Sequence, residues 1–143
     1  MLIRKAKGND LEIIFSLAKK YNLESNDMNA NQFLVAEIDG KIIGFGRLLQ
    51  HKDCIELGTI GVIEEYRNKG IGKKIVLELL KKAIEMGYKS IYLTTLIPEY
   101  FKKFGFKVVK ENMNECIIRD EKWCEGCPKI GCTFMKLEIL PQQ

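Results

Sequence analysis

The sequence has few long apolar runs. Nothing in its 143 residues approaches the roughly 18 consecutive apolar residues that a membrane-spanning helix needs. The opening MLIRKAKGND also lacks the apolar core of a signal peptide. We therefore expect a cytoplasmic protein without membrane association.

Internal repeats, low-complexity segments and Pro/Ser-rich linkers are absent as well, so we expect residues 1–143 to form one domain. Apolar residues make up 46% and charged residues 29%, as in ordinary globular proteins. The net charge of +4 suits a phosphate-bearing ligand. The lysines are spread over predicted helix faces and form no aromatic-laced stripe, so we expect no nucleic-acid partner.

Apolar periodicity predicts a mixed α/β domain with the order β-α-β-β-β-α-β-α-β-β. The clearest element is a hairpin over residues 32–50, where Asp39 and Gly40 suit a type I′ turn. We predict the other strands at 2–6, 54–63 and 90–96 and in GFKVVKE and TFMKLEIL, and helices from Asn9 or Asp10 to about Lys20, from about Gly70 to Met86 and in PEYFKKF.

Two closely spaced glycines mark the stretch EEYRNKGIGKKI, residues 64–75, between a strand and a helix. Gly70 and Gly72 have no side chains, so an anion can approach the backbone at the positive end of the helix dipole. Arg67, Lys69 and Lys73 add positive charge. The spacing fits neither a Walker loop nor a dinucleotide fingerprint. A turn that merely starts a helix is the alternative.

Two segments resemble motifs of the GNAT N-acyltransferase superfamily. VIEEYRNKGIG, residues 62–72, is similar to motif A, with Arg67, Gly70 and Gly72 in its defining positions. YFKKFGF, residues 100–106, is similar to motif B, written F-Y-x-K-x-G-F. The resemblance covers nearly the whole chain. It implies a single-domain α/β GNAT fold, a mixed central sheet of about six to seven strands flanked by helices.

The resemblance further implies that the chain is an N-acetyltransferase and that acetyl-CoA is its cosubstrate. In the family, motif A amides hold the CoA pyrophosphate and the preceding strand end pairs with pantetheine. Carried over to this sequence, the cofactor-binding residues are Ile60, Gly61, Val62, Arg67, Asn68, Lys69, Gly70, Ile71, Gly72 and Lys73.

Acyl transfer to an amine requires a base, because the ammonium must first lose a proton. Glu56 is the candidate, since family members often place a glutamate on this strand, and it would act through a water. A solvated strand glutamate is the alternative. Phe101 occupies the motif B position where family members often have a tyrosine that acts as the general acid. Tyr100 could replace that tyrosine, or it could simply pack while water protonates the thiolate.

The stretches ELGTIGVIEEYRNKGIGKKI, LTTLIPEYFKKFGF and KWCEGCPKIGC also resemble the acetyltransferase domain of bacterial N-acetylglutamate synthases. This resemblance implies a small amine acceptor, with the α-amino group of glutamate or a related amino acid as one candidate. Arg47 could bind a carboxylate, or it could be an exposed strand residue, and we expect His51 on the surface. Polyamine or protein acetylation and a CoA-binding sensor without turnover are the alternatives. The family often forms dimers, which leaves a homodimer open.

The chain has five cysteines, and in a cytoplasmic protein we expect thiols or metal ligands rather than disulfides. Cys124, Cys127 and Cys132 are closely spaced, and Cys116 could supply a fourth thiolate. Four such ligands could bind a tetrahedral zinc ion. One C-x-x-C pair with irregular partners is a weak signal, so we expect no metal.

Overall fold

The computed structural model of the protein describes residues 1–51, 54–109 and 133–139. Within these ranges its strands and helices follow the predicted order. They are β1 (Leu2–Lys5), α1 (Leu11–Lys20), β2 (Phe33–Ile38), β3 (Lys41–Gln50), β4 (Ile55–Val62), α2 (Ile71–Glu85), β5 (Ser90–Thr95), α3 (Pro98–Lys102), β6 (Lys107–Val108) and β7 (Thr133–Glu138).

The seven strands form one mixed sheet in the order β1-β2-β3-β4-β5-β7-β6. Neighbouring strands are antiparallel except for β4 and β5, which are parallel. These two strands pair only through Ile55 with Ile91 and Glu56 with Tyr92 among the described residues. Their remaining lengths are not paired with each other, so the centre of the sheet is open on one side of this short ladder.

Helix α2 packs closely against one face of the sheet. Its buried side chains include Ile75 and Leu79, which lie over β3. A Cβ on Gly44 would lie 2.9 Å from Ile75 Cδ1, and one on Gly46 would lie 2.8 Å from Leu79 Cδ1. Glycine at both positions therefore lets the helix approach the strand.

Helix α1 contributes to a second apolar cluster. Its buried residue Ile14 packs with Phe33 and Val35 of β2 and with Ile42 and Phe45 of β3. The edge-to-face contact between Phe33 and Phe45, with ring centroids 6.4 Å apart, belongs to this cluster.

A β-bulge interrupts the pairing of β3 with β4. Phe45 is paired with Gly61 and Arg47 with Gly58, so Thr59 and Ile60 both lie opposite Gly46. Thr59 has a φ of 48°, which is strained for a β-branched residue. Bulges of this kind bend a strand and redirect its groups, and this one lies at the opening between β4 and β5.

The predicted turn and fold class are confirmed. Asp39 and Gly40 have φ values of 49° and 79°, as a type I′ turn requires. Gly87, with a φ of 92°, follows α2 as a helix-ending glycine. In the parts of the chain that the structure describes, no helix is long and apolar enough to cross a membrane.

Candidate active site

A cavity of about 550 Å³ lies where the glycine loop meets α2 and α3. It brings together every predicted cofactor-binding residue except Lys69, and it includes Tyr100. Its lining residues are Tyr21, Leu23, Ile60, Gly61, Val62, Tyr66, Arg67, Asn68, Gly70, Ile71, Gly72, Lys73, Ile97, Tyr100 and Phe101.

The N-terminus of α2 provides hydrogen-bond donors to this cavity. Gly70 precedes the helix with a φ of 80°, and the Lys74 amide donates to the Gly70 carbonyl at 3.1 Å. The amides of Ile71, Gly72 and Lys73 come before that bond, so they have no carbonyl one turn earlier in the helix. A Cβ on Gly70 would meet nothing within 4 Å, so there is open space beside the start of the helix, where these residues line the cavity. The arrangement suits an anion.

Arg67 is held at the edge of the same cavity. Its Nε donates a hydrogen bond of 2.8 Å to the Val62 carbonyl, and its guanidinium lies 4.5 Å from the centre of the Tyr21 ring. These contacts fix a positive charge beside the loop. Lys69 instead has its Nζ 5.3 Å from the centre of the Tyr66 ring.

A second cavity, of about 400 Å³, lies in the opening between β4 and β5. The described residues that line it include no Asp, Glu, His, Lys or Arg. They are Tyr21, Asn22, Leu23, Leu57, Gly58, Thr59, Ile60, Leu93, Thr94, Thr95, Leu96, Ile97 and Phe101.

The two cavities adjoin, because five residues line both: Tyr21, Leu23, Ile60, Ile97 and Phe101. Sequence reasoning proposed only Ile60 among them as a site residue. Tyr21 and Leu23 follow α1 in a segment without a chemical motif, and Ile97 carries no reactive group. Phe101 could have been predicted as a cavity-lining residue, because it aligns with the motif B position that is often the general acid in the family.

Glu56 lies where β4 and β5 are still paired. It is 1% exposed, so the interpretation as a solvated strand glutamate is wrong. Its Oε1 lies 2.9 Å from Nε2 of His51, a side chain that is 26% exposed. His51 is therefore not a simple surface residue. Glu56 is not among the described residues that line either cavity.

Tyr100 faces the first cavity near the start of α2. Its hydroxyl oxygen would lie 3.5 Å from a Cβ on Gly72, and its ring packs edge-to-face on Phe101 at 5.1 Å. Burial raises the pKa of the Tyr100 hydroxyl, so the group remains a proton donor at neutral pH. Phe101, which has no hydroxyl, lies at the junction of the two cavities.

Arg47 is 0% exposed, so the interpretation as an exposed strand residue is wrong. Its guanidinium contacts Thr59, Gln32 and Glu24. The second sequence-based interpretation, a ligand for an acceptor carboxylate, would require displacing some of these contacts.

Cys54 forms a disulfide, so the expectation of thiols is wrong for this residue. The four cysteines considered as zinc ligands, Cys116, Cys124, Cys127 and Cys132, lie outside the described residues. Across 1–51, 54–109 and 133–139 there is no group of three or more side chains suited to a metal ion.

Residues 5–106 match the acetyltransferase (GNAT) family. The chain belongs to this family. It is 32% identical over 112 residues to the uncharacterized N-acetyltransferase CT2212 of Chlorobaculum tepidum, covering 77% of this chain and 70% of that protein. It is 28% identical over 121 residues to the amino-acid acetyltransferase of Mycobacterium tuberculosis, covering 76% of this chain and 70% of the relative.

Solved structures share the fold. Rv2747 from Mycobacterium tuberculosis, in complex with CoA and NLQ, superposes with a TM-score of 0.80 at 23% identity and covers 98% of this chain and 100% of that one. N-acetylglutamate synthase from Neisseria gonorrhoeae, complexed with coenzyme A and N-acetyl-glutamate, has a TM-score of 0.77 at 17% identity. That match covers 98% of this GNAT chain but only 35% of the synthase.

Proposed function

We propose that this GNAT protein transfers the acetyl group of acetyl-CoA to the primary amine of a small molecule, with the α-amino group of glutamate or a related amino acid as acceptor. The observation that carries the proposal is the pair of adjoining cavities. One ends at the amides of α2, and the other lies in the opening between β4 and β5. A donor and an acceptor can thus meet at the junction of the cavities.

The first cavity suits the donor. The diphosphate of CoA would bind the amides of Gly70 to Lys73 beside Arg67, where the helix dipole favours negative charge. Pantetheine would run along the end of β4, so the thioester would reach the junction near Ile60. The CoA-bound structures of the same fold support this choice of donor.

The acceptor class is supported by names among the relatives. Several are amino-acid acetyltransferases, including those of Mycobacterium tuberculosis and Pasteurella multocida. The Pasteurella relative is much longer, and the match spans 27% of it. Protein N-terminal acetylation is the second candidate, favoured by 33% identity over 97 residues to the N-alpha-acetyltransferase of Sulfurisphaera tokodaii.

The reaction would use both backbone and side-chain groups. An N–H between Ile60 and Val62, next to the bulge, would donate to the oxyanion of the tetrahedral intermediate. Glu56 would accept the ammonium proton through a water, and His51, at 2.9 Å, would pass it towards solvent. Tyr100 would donate to the departing thiolate from the donor cavity.

Release of free thiol from acetyl-CoA tests the proposal across the twenty amino acids, spermidine and an acceptor peptide. We expect L-glutamate or a close acidic relative to react fastest, with N-acetyl product confirmed by mass. Preference for the peptide would favour the second candidate. CoA binding without turnover of any amine would indicate a sensor and refute transferase activity.

A further inference from the structure

We infer that Arg47 is a positioning residue that fixes both walls of the 400 Å³ cavity by joining the segment after α1 to the bulge of β4. The two walls are far apart in sequence: Tyr21, Asn22 and Leu23 belong to one, and Gly58, Thr59 and Ile60 to the other. Arg47, on β3, contacts Thr59 of the second wall directly, and it contacts Glu24 and Asp27 in the segment that continues the first wall.

The guanidinium holds the chain that follows the first wall at several points. Its NH1 nitrogen donates to Gln32 Oε1 at 3.0 Å and to the Asp27 carbonyl at 3.5 Å, while its NH2 nitrogen lies 3.6 Å from Glu24 Oε1. Residues 23–29 form no helix or strand. Because such a segment lacks a backbone ladder of its own, a planar cation with several donors is an effective anchor.

The second wall is held through Thr59. Arg47 Nε donates to Thr59 Oγ1 at 2.9 Å, and that hydroxyl donates to the Glu24 carbonyl at 2.9 Å. One hydroxyl therefore connects the guanidinium, the bulge and the first wall. Thr59 is also the residue with a φ of 48°, a conformation that the surrounding contacts must stabilise.

The alternative role for Arg47 is direct binding of an acceptor carboxylate. The guanidinium is completely buried, lies 5.5 Å from the centre of the Phe33 ring and already has a carboxylate near it. Opening this arrangement to bind a substrate would separate the guanidinium from a carboxylate that is itself largely buried, which is unfavourable. Arg47 thus acts on the site through Thr59 and the segment after α1.

The consequence for the reaction is specific to the acceptor side. The amides of α2 lie on the other cavity, and neither Arg47 nor Thr59 lines it. Loosening the connection should therefore impair placement of the amine while leaving CoA affinity nearly unchanged. This inference rests on the proposed function only for the identity of the amine.

A matched pair of variants at Thr59 tests the inference. Thr59→Val keeps the shape and β-branching but removes the hydroxyl, whereas Thr59→Ser keeps the hydroxyl. For Thr59→Val we expect kcat/KM for the acceptor to fall about tenfold or more, since a buried hydrogen bond to a charged group is lost. Thr59→Ser should stay within about threefold, and CoA affinity by calorimetry should change by less than about twofold in both.

Hydrogen exchange on the same variants needs no turnover. In Thr59→Val the amides of 22–29 and 58–61 should exchange faster, while those of α2 should not. Arg47→Met should show the same pattern more strongly. The inference is overturned if Val and Ser variants match in exchange and kinetics, or if CoA affinity falls in parallel with acceptor kcat/KM. If no amine is acetylated by the unaltered protein, the proposed function fails and exchange alone decides the role of Arg47.

Discussion

Gly70 allows the proposed anion site to be tested with one pair of substitutions. A side chain placed there would start from a Cβ with nothing within 4 Å. It would extend into open space beside the first residues of α2, which line the cavity. Gly70→Glu adds a negative charge at this point. Gly70→Gln adds a side chain of nearly the same size without the charge. Both bear the same strain, because Gly70 has a φ of 80°.

The expected magnitude follows from this comparison. Left-handed backbone costs an ordinary residue about 1–2 kcal/mol, which lowers the stability of both variants equally. Two like charges about 4 Å apart repel by about 4 kcal/mol at an effective dielectric constant near 20. An exposed, flexible glutamate will avoid part of this repulsion, so we take about 2 kcal/mol, which is roughly 30-fold in affinity.

Calorimetry with CoA at low and high salt is the assay, after thermal unfolding has shown that both variants are folded. We expect Gly70→Gln to bind several-fold more weakly than the unaltered protein and Gly70→Glu about 30-fold more weakly again, with the gap narrowing in high salt. Equal affinities of the Glu and Gln variants at low salt would refute the assignment of the diphosphate to this loop.

Three further predictions concern other parts of the chain. Glu56→Gln should lower kcat/KM by about 100-fold, with a smaller loss at high pH where more amine is neutral; retained activity from pH 6 to 9 would exclude Glu56 as base. Gly58→Leu should fill the second cavity and lower kcat/KM about tenfold or more with CoA affinity intact, since a Cβ there meets nothing within 4 Å, and Gly58→Ala is the mild control. The hydrogen bond from Arg4 lowers the pKa of Asp10, so the stability it provides is present above about pH 4 and lost as pH falls through the folded-state pKa. Asp10→Asn should accordingly unfold at a lower temperature than the unaltered protein at pH 7, and the difference should shrink below about pH 4; a constant difference would contradict this.

The cavity at the start of α2, which we propose for the donor, could be anticipated from the sequence because it depends on backbone. A strand, two glycines and a helix start determine where the α2 amides point, whatever the rest of the chain does. Gly70 and Gly72 therefore indicated the position of the cavity, and Arg67 of the same motif also lines it. Among the predicted cofactor-binding residues, Lys69 does not line the cavity, and its ammonium lies over the Tyr66 ring instead.

The second cavity, which we propose for the acceptor, could not be predicted in the same way, since it depends on contacts between distant residues. Arg47 and Thr59 are 12 residues apart, and Arg47 and Gln32 are 15 apart. An arginine in an apolar strand is compatible with exposure, ligand binding or burial, and only the partners decide among these. The pairing of His51 with Glu56 was also missed, and it depends on the connection between β3 and β4, where the His51 amide donates to the Cys54 carbonyl.

The fold creates the site through two departures from regular β-sheet. Strands β4 and β5 stop pairing after Glu56 and Tyr92, which opens a space within the sheet, and the bulge at Thr59 lies on the strand that borders that space. In a complete ladder, the backbone groups of β4 would be hydrogen-bonded to β5, and β5 would occupy the space. Both departures cost stability, and the contacts of Arg47 with Thr59 and the segment after α1 offset part of that cost. This irregular stretch of the sheet is therefore held by a fully buried cation, as expected where local strain serves function.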